Sequence, residues 1–263
     1  MNESYYDSIR NVFTQGLTAR DIAEPLVSFD ASTPAPAARA VMHTRDYDVV
    51  GVRQDGLVVG YAVAAEMGDG PCGDYTHALA EAVVLPDSAP IPALVRALHQ
   101  EPRVFIKVLG VVGGIVTRSD MQDAPVRMWL FGLVTLIELR LTSAIDRRFP
   151  DGGWEAFLSE SRRQKARSLL EERRRRGQSP NLLDCLQFGD KGQIVVRDAE
   201  LRRQVGFPSR SRGEEAIKRI EALRNNLAHS QDIVALDWES ILELAENLDD
   251  VLARLSRTDG GPA

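Results

Sequence analysis

The chain has 263 residues, 44% hydrophobic and 27% charged, with a formal net charge of −6. That length suffices for one or two domains with a buried core. The acidic balance excludes non-specific nucleic-acid binding over the whole surface and leaves room only for a local basic patch.

No apolar signal stretch opens the sequence. The longest apolar run, near Trp129 to Glu138, is interrupted by charge before the roughly 20 apolar residues that a bilayer span takes. Cys72 and Cys185 lie far apart and outside metal-ligand spacing. A cytoplasmic protein with two reduced thiols is therefore expected.

In chain order, the first half is a repeat. Residues 47–67, YDVVGVRQDGLVVGYAVAAEM, and residues 101–121, EPRVFIKVLGVVGGIVTRSDM, align so that Gly56 falls on Gly110, Gly60 on Gly114, Glu66 on Asp120 and Met67 on Met121. Each copy reads as a β-type apolar run, a glycine turn, a second apolar run and a polar helix start. A helical stretch precedes each, at residues 36–43 and 92–99. The spacing predicts two β-α-β-β-α units over residues 1–124.

The unit resembles the CBS domain, whose members usually work as a tandem pair. The resemblance rests on Gly114-Ile-Val-Thr-Arg-Ser-Asp120, which matches that family's pattern of glycine, two apolar residues, Thr or Ser, two variable residues and Asp. It implies an adenine nucleotide (AMP, ADP, ATP or a relative) as regulatory ligand, without a metal, at a site that includes Gly114. Thr117 would donate to a phosphate, Asp120 would accept from ribose hydroxyls, and Arg118 would add charge. A strand feeding a helix start suits an anion, because unpaired N–H groups collect there. The first copy departs from the pattern: Val63 stands for the hydroxyl residue and Glu66 for the Asp, so at most one competent site is expected. Thr-x-x-Asp is equally a capping signal that contributes on the order of 1 kcal/mol and binds nothing.

After Pro125 apolar residues recur at three and four, and residues 125–263 read as an all-α domain, making the whole α+β. Helices are predicted over 126–149, 154–176, 212–228 and 238–256, with a short piece at 182–188; residues 192–196 read as a small strand or extended linker. The helix at 126–149 is apolar nearly all round, as befits a core or a subunit interface. Glu138 on it is either a satisfied interface carboxylate or a support for a site. Arg162, Arg163, Lys165, Arg167, Arg173, Arg174, Arg175 and Arg176 form a basic stretch. It is either a solvated helix end favoured by the macrodipole or a hold on an RNA backbone. His43, His77 and His99 show no ligand spacing.

On the helix at 212–228, Ala216, Ile220, Leu223 and Leu227 make one apolar stripe. Arg224-Asn-Asn-Leu-Ala-His229 follows. This resembles the HEPN signature, an Arg and a His separated by four to six residues with a polar residue after the Arg. The resemblance implies a HEPN-like helical bundle and a metal-independent endoribonuclease that acts as a homodimer and leaves 2′,3′-cyclic phosphate ends. The residue types suit that chemistry. His229 titrates near neutrality and serves as base or acid; Arg224 offsets charge on the phosphate oxygens; Asn225 orients one of them. Five residues apart on an unbroken helix, Arg224 and His229 would face about 140° apart, so a bend near Ala228 is expected. Arg and His near a helix C-terminus are also favoured by the dipole alone, by a few tenths of a kcal/mol to about one. The joint expectation is a nucleotide-gated ribonuclease under allosteric control. The alternative is a non-catalytic sensor or adaptor whose helical half dimerises or binds a partner.

Overall fold

The computed structural model describes residues 3–228 and Arg254, with side chains from residue 8 onward. The chain divides into two compact units: Thr14–Val126 is one, and among the described residues 3–13 and 127–228 belong to the other. His229 and the helix predicted over 238–256 lie outside the described residues, Arg254 apart.

In the Thr14–Val126 unit the repeat is realised position by position. The first copy holds β2 (Ser28–Asp30), α2 (Ala35–Arg45), β3 (Val49–Gln54) and β4 (Leu57–Val63); the second holds β6 (Val84–Pro86), α3 (Ile91–Gln100), β7 (Arg103–Val108) and β8 (Val111–Thr117). In each, the first strand pairs parallel with the second across the helix, and the second pairs antiparallel with the third through a hairpin. Both hairpins slip register at equivalent places, between Val52 and Arg53 and between Ile106 and Lys107. Pro36 and Pro92 sit in the first turn of their helices, where a missing N–H costs nothing.

Equivalent positions build equivalent cores. Ala35, Ala38, Met42, Val50, Val52, Ala62 and Met67 are buried in the first copy. Ile91, Leu94, Leu98, Val104, Ile106, Val116 and Met121 are buried in the second. The offset is 56 across the helices and 54 across the hairpins because the first copy has two more residues from helix start to strand start, where Asp46 adopts the left-handed region at φ 58°. Each copy also borrows a strand: β1 (Glu24–Pro25) pairs with β8, and β5 (His77–Ala78) pairs with β4. The sheets therefore run β1-β8-β7-β6 and β2-β3-β4-β5. The residues before each copy enter the same way, Ile91 N–H donating to the Leu17 carbonyl and Ala35 N–H to the Gly70 carbonyl.

One expectation needs correction. The helix predicted to close each copy is a single 3-10 turn, Ala64–Glu66 in the first and Ser119–Gln122 in the second. In the second copy the chain then enters α4, which runs Ala124–Arg148.

The other unit is helical, with α1 (Glu3–Gln15), α4, α5 (Glu160–Arg175), α6 (Phe188–Arg197), α7 (Ala199–Val205) and α8 (Arg210–Ala228). Residues 3–13 belong to this unit, where Phe13 lies against Gly132: a Cβ there would lie 2.3 Å from the ring. Trp129, Leu130, Leu133, Leu136, Ile137, Leu141 and Ile145 are buried around α4. By length and composition α4 can in fact cross a membrane, since its most apolar 18-residue window holds few charges, but 61% of that window is buried inside the protein. Residues 192–196 are helical rather than extended, lying within α6. Gly192 is there for packing: its Cβ would come within 2.3 Å of Ile217 on α8. The helix predicted from 154 starts only at Glu160, with Ser159 as N-cap to the Arg162 N–H.

Candidate functional sites

Strand β8 delivers Thr117 to the turn that holds Asp120. Thr117 N–H donates to Asp120 Oδ2 at 2.6 Å, Thr117 Oγ1 lies 3.1 Å from the same oxygen, and Thr117 Oγ1 and Ser119 Oγ are 2.6 Å apart. This is the capping geometry, and it recurs at Thr18 and Asp21 with distances of 2.7 and 3.2 Å. The two turns differ in burial. Asp21 is exposed, whereas Asp120 is 9% exposed. Burial pushes the Asp120 carboxyl above its ordinary range, the two Thr117 bonds oppose that, and the charges of Glu24 and Asp123 add to it.

Toward the other end of β8, around its hairpin with β7, lies a cleft of about 480 Å³, lined by Ala23, Glu24, Pro25, Ile106, Gly113 and Gly114 among others, with Arg20 and Asp87 at its wall; Thr117, Arg118 and Asp120 are not part of that lining. Arg20 Nη2 and Asp87 Oδ2 are 2.5 Å apart. Gly114 faces Pro25 across the β1–β8 pairing, and an added Cβ would lie 3.2 Å from Ile106 Cβ. Gly114 therefore lines the cleft, and Glu24 carries its influence to Asp120. Arg118 points elsewhere: Nε donates to the Leu98 carbonyl at 3.0 Å and Nη2 to the His99 carbonyl at 3.3 Å. It holds the end of α3, where orphan carbonyls need donors.

At the matching end of β4, Val63 has no hydroxyl and Glu66 pairs with His77 Nε2 at 2.5 Å. The His77 ring stacks on Tyr61 at 5.1 Å, and Tyr61 packs against Phe105 at 4.8 Å with the Arg103 guanidinium 5.8 Å from its centre. Side chains of both copies therefore pack around Tyr61.

In the helical unit α8 carries Arg224 and the exposed Asn225 on its last described turn, continuous through Ala228. The buried stripe is Gly213, Ile217, Ile220, Leu223 and Leu227, with Ala216 half-buried. Arg127 Nη2 donates to the Asn226 and Leu227 carbonyls at 3.1 and 3.0 Å. Glu138 turns out to be a hub. Its Oε1 accepts from Lys191 Nζ at 2.9 Å, and its Oε2 lies 4.0 Å from Arg224 Nε. Three helices, α4, α6 and α8, thus meet through one carboxylate. In the basic stretch, Arg175 and Arg176 share Glu172, Arg173 donates to the Asp184 carbonyl, and Arg167 pairs with Glu155. Among the described residues no three His, Cys, Asp or Glu side chains are grouped to hold a metal ion.

Lys191 lies directly before residues 192–196, expected as a small strand or extended linker, and is instead in the first turn of α6. The available signal was Gln187-x-x-Asp190, a capping box that starts α6 and turns Lys191 toward the core.

The fold and these sites define an α+β protein in which a paired β-α-β-β repeat precedes a helical bundle. No family model matches the chain, and no curated protein does. Solved structures resemble its N-terminal part. CBSX2, a CBS-pair protein from Arabidopsis thaliana, is 18% identical over 43% of this chain and 96% of its own, with a TM-score of 0.38. The CBS domain of a bacterial CNNM/CorC family Mg2+ transporter, in complex with ATP, is 17% identical over 47% of this chain and 96% of its own, with a TM-score of 0.37. An uncharacterized conserved protein from Pyrococcus horikoshii is 20% identical over 42% of this chain and 92% of its own, with a TM-score of 0.38. Likenesses at this level say nothing of activity.

Proposed function

We propose that this chain is an adenine-nucleotide sensor with one ligand site, in the second copy of the repeat, and an output carried by the helical unit. The observation that carries the reading is a buried carboxyl, Asp120, kept at the end of β8, the strand whose Gly113 and Gly114 line a cleft of about 480 Å³. The cleft is of nucleotide size. A turn needs no buried acid to be capped, as the exposed Asp21 demonstrates, so the burial of Asp120 is extra cost that ribose hydroxyls would offset. The Thr117 hydroxyl would face the phosphate, its N–H being held by Asp120; Arg118, committed to α3, would act by fixing the turn. Calorimetric titration of AMP, ADP and ATP tests this. Asp120→Ala should weaken binding about tenfold or more, and Glu66→Ala should leave it unchanged. Equal affinity in wild type and Asp120→Ala ends the proposal.

A second reading concerns the output, a metal-independent ribonuclease built on Arg224, Asn225 and His229 and working as a homodimer. It is favoured by the Arg224 guanidinium, which is half-exposed and whose two terminal nitrogens take no hydrogen bond among the described residues. Such a fork suits a phosphodiester. Arg224→Ala and His229→Ala should each abolish cleavage of unstructured RNA. An inert wild type, with and without adenine nucleotide, leaves the sensor or adaptor reading in its place.

A further inference from the structure

We infer that Lys191 and Arg224 form a phosphate-binding subsite in the helical unit, with Glu138 as the group that positions both cations. The inference deepens the ribonuclease reading, and rests on it only for the phosphate being that of RNA.

The argument starts from charge. Lys191 sits one turn into α6 with its side chain only 6% exposed. An ammonium has three donors, and among the described residues one of them is used, on Glu138 Oε1 at 2.9 Å. Glu138 is shared: its other oxygen is 4.0 Å from Arg224 Nε. The neighbouring acid cannot help. Asp190 is spent on the Gln187 N–H at 3.2 Å and the Arg162 guanidinium at 3.1 Å. Among the described residues two cations therefore face one carboxylate, and the cluster carries a surplus positive charge, with the Lys191 ammonium itself buried. A buried surplus charge is costly unless an anion joins it.

The geometry also says from which side. Arg224 meets Glu138 through Nε, so its terminal fork is turned away from the carboxylate and remains half-exposed. Glu138 is itself a quarter exposed, so the cluster opens to water. An anion entering there would meet the fork and the remaining Lys191 donors together. A phosphate, with several acceptor oxygens, satisfies both cations at once; a single carboxylate is already present and does not. The site also answers a chemical need of the ribonuclease reading, since a second cation within one chain shares the charge that grows on the phosphorane oxygens.

The test uses the full chain. Binding of inorganic phosphate, against chloride at matched ionic strength, and of a 2′-O-methyl oligonucleotide, which cannot be cleaved, is measured by calorimetry. Lys191→Met should weaken both about tenfold or more. Glu138→Gln should tighten both about threefold, because it removes the competing carboxylate; a merely structural Glu138 would lower stability without improving affinity. Since Lys191→Met leaves Glu138 with the distant Arg224 Nε alone, the double variant Glu138→Gln with Lys191→Met supplies a cluster of similar volume in which only Arg224 is charged, and it should fold and bind both probes about tenfold more weakly than wild type. Wild-type affinity in the double variant, or unchanged affinity in Glu138→Gln, overturns the subsite. Cleavage of unmodified RNA is scored apart: no cleavage with both probes still bound removes the nuclease and keeps the subsite.

Discussion

The two copies of the repeat share strands, helices, hairpin irregularities and core positions, and part company at the end of the last strand. In the second, β8 runs into Thr117 and a buried acid, Asp120. In the first, β4 runs into Val63 and an exposed Glu66 that pairs with His77 over the Tyr61 ring. One scaffold thus carries two endings: in the first copy Glu66, His77 and Tyr61 pack on one another, and in the second a carboxyl is held where burial disfavours its charge. Conserved packing and divergent chemistry are separable here, and variants at matched positions measure how far.

The largest difference should come from the paired glycines. A Cβ on Gly60 would lie 2.3 Å from Thr76 Cγ2 and 2.4 Å from the His77 carbonyl oxygen, so the borrowed strand β5 must move to admit it. A Cβ on Gly114 would meet Ile106 Cβ at 3.2 Å and the Glu24 carbonyl at 3.4 Å, which small shifts relieve. Gly60→Ala should therefore cost about 3 kcal/mol of unfolding free energy and Gly114→Ala about 1 or less. Urea titration of both variants decides it. Equal losses would mean that the two borrowed strands are held equally loosely.

That asymmetry was only partly legible beforehand. The alignment of Gly60 with Gly114 follows from local patterning, as do the hairpins and the departure of Val63 and Glu66. Which strand each copy borrows does not, because β1 pairs with β8 some 90 residues later. The same limit hid α1, whose anchor, Gly132, is equally remote in sequence. Residues 192–196 were misread for a different reason. Gly189 and Gly192 look like strand punctuation, yet they are helical positions stripped of side chains so that α6 can approach α8. With the helix missed, Lys191 was missed too. Arg118 illustrates a third limit, since a charge next to a binding motif says nothing of the carbonyls it will meet in α3.

The second comparison sets the acids against each other. Burial raises the Asp120 carboxyl above its usual range. The folded chain then holds that proton more tightly than the unfolded chain, so its stability falls as pH rises from the ordinary Asp value through the raised one, and stays lowered above it. Asp120→Asn keeps an acceptor for the Thr117 N–H and carries no charge. It should gain on wild type across that window, with the gap widest at neutral pH. For Glu66→Gln the informative variable is salt: the Glu66–His77 pair is half-exposed on both sides, contributes at most about 1 kcal/mol, and its loss should shrink as salt is raised. An Asp120→Asn variant whose deficit grows with pH would show that the carboxylate is not strained by burial.

The smallest effect separates the two hairpin turns. Asp55 and Gly56 have φ of 52° and 81°, and Leu109 and Gly110 have 51° and 88°, so both turns ask for a left-handed first residue. Asp tolerates that conformation and Leu does not. Leu109 is also 98% exposed, so no packing compensates its strain. Leu109→Asn should stabilise the protein by about 0.5–1 kcal/mol, and Asp55→Leu should cost as much. Thermal melts of the two variants and of the double exchange test both signs. Because Leu109 also lines the cleft, calorimetry on Leu109→Asn adds a second readout: gained stability with lost nucleotide affinity would mean that the strained leucine is kept for the ligand, whereas gained stability with unchanged affinity would leave it as a tolerated defect of the second copy.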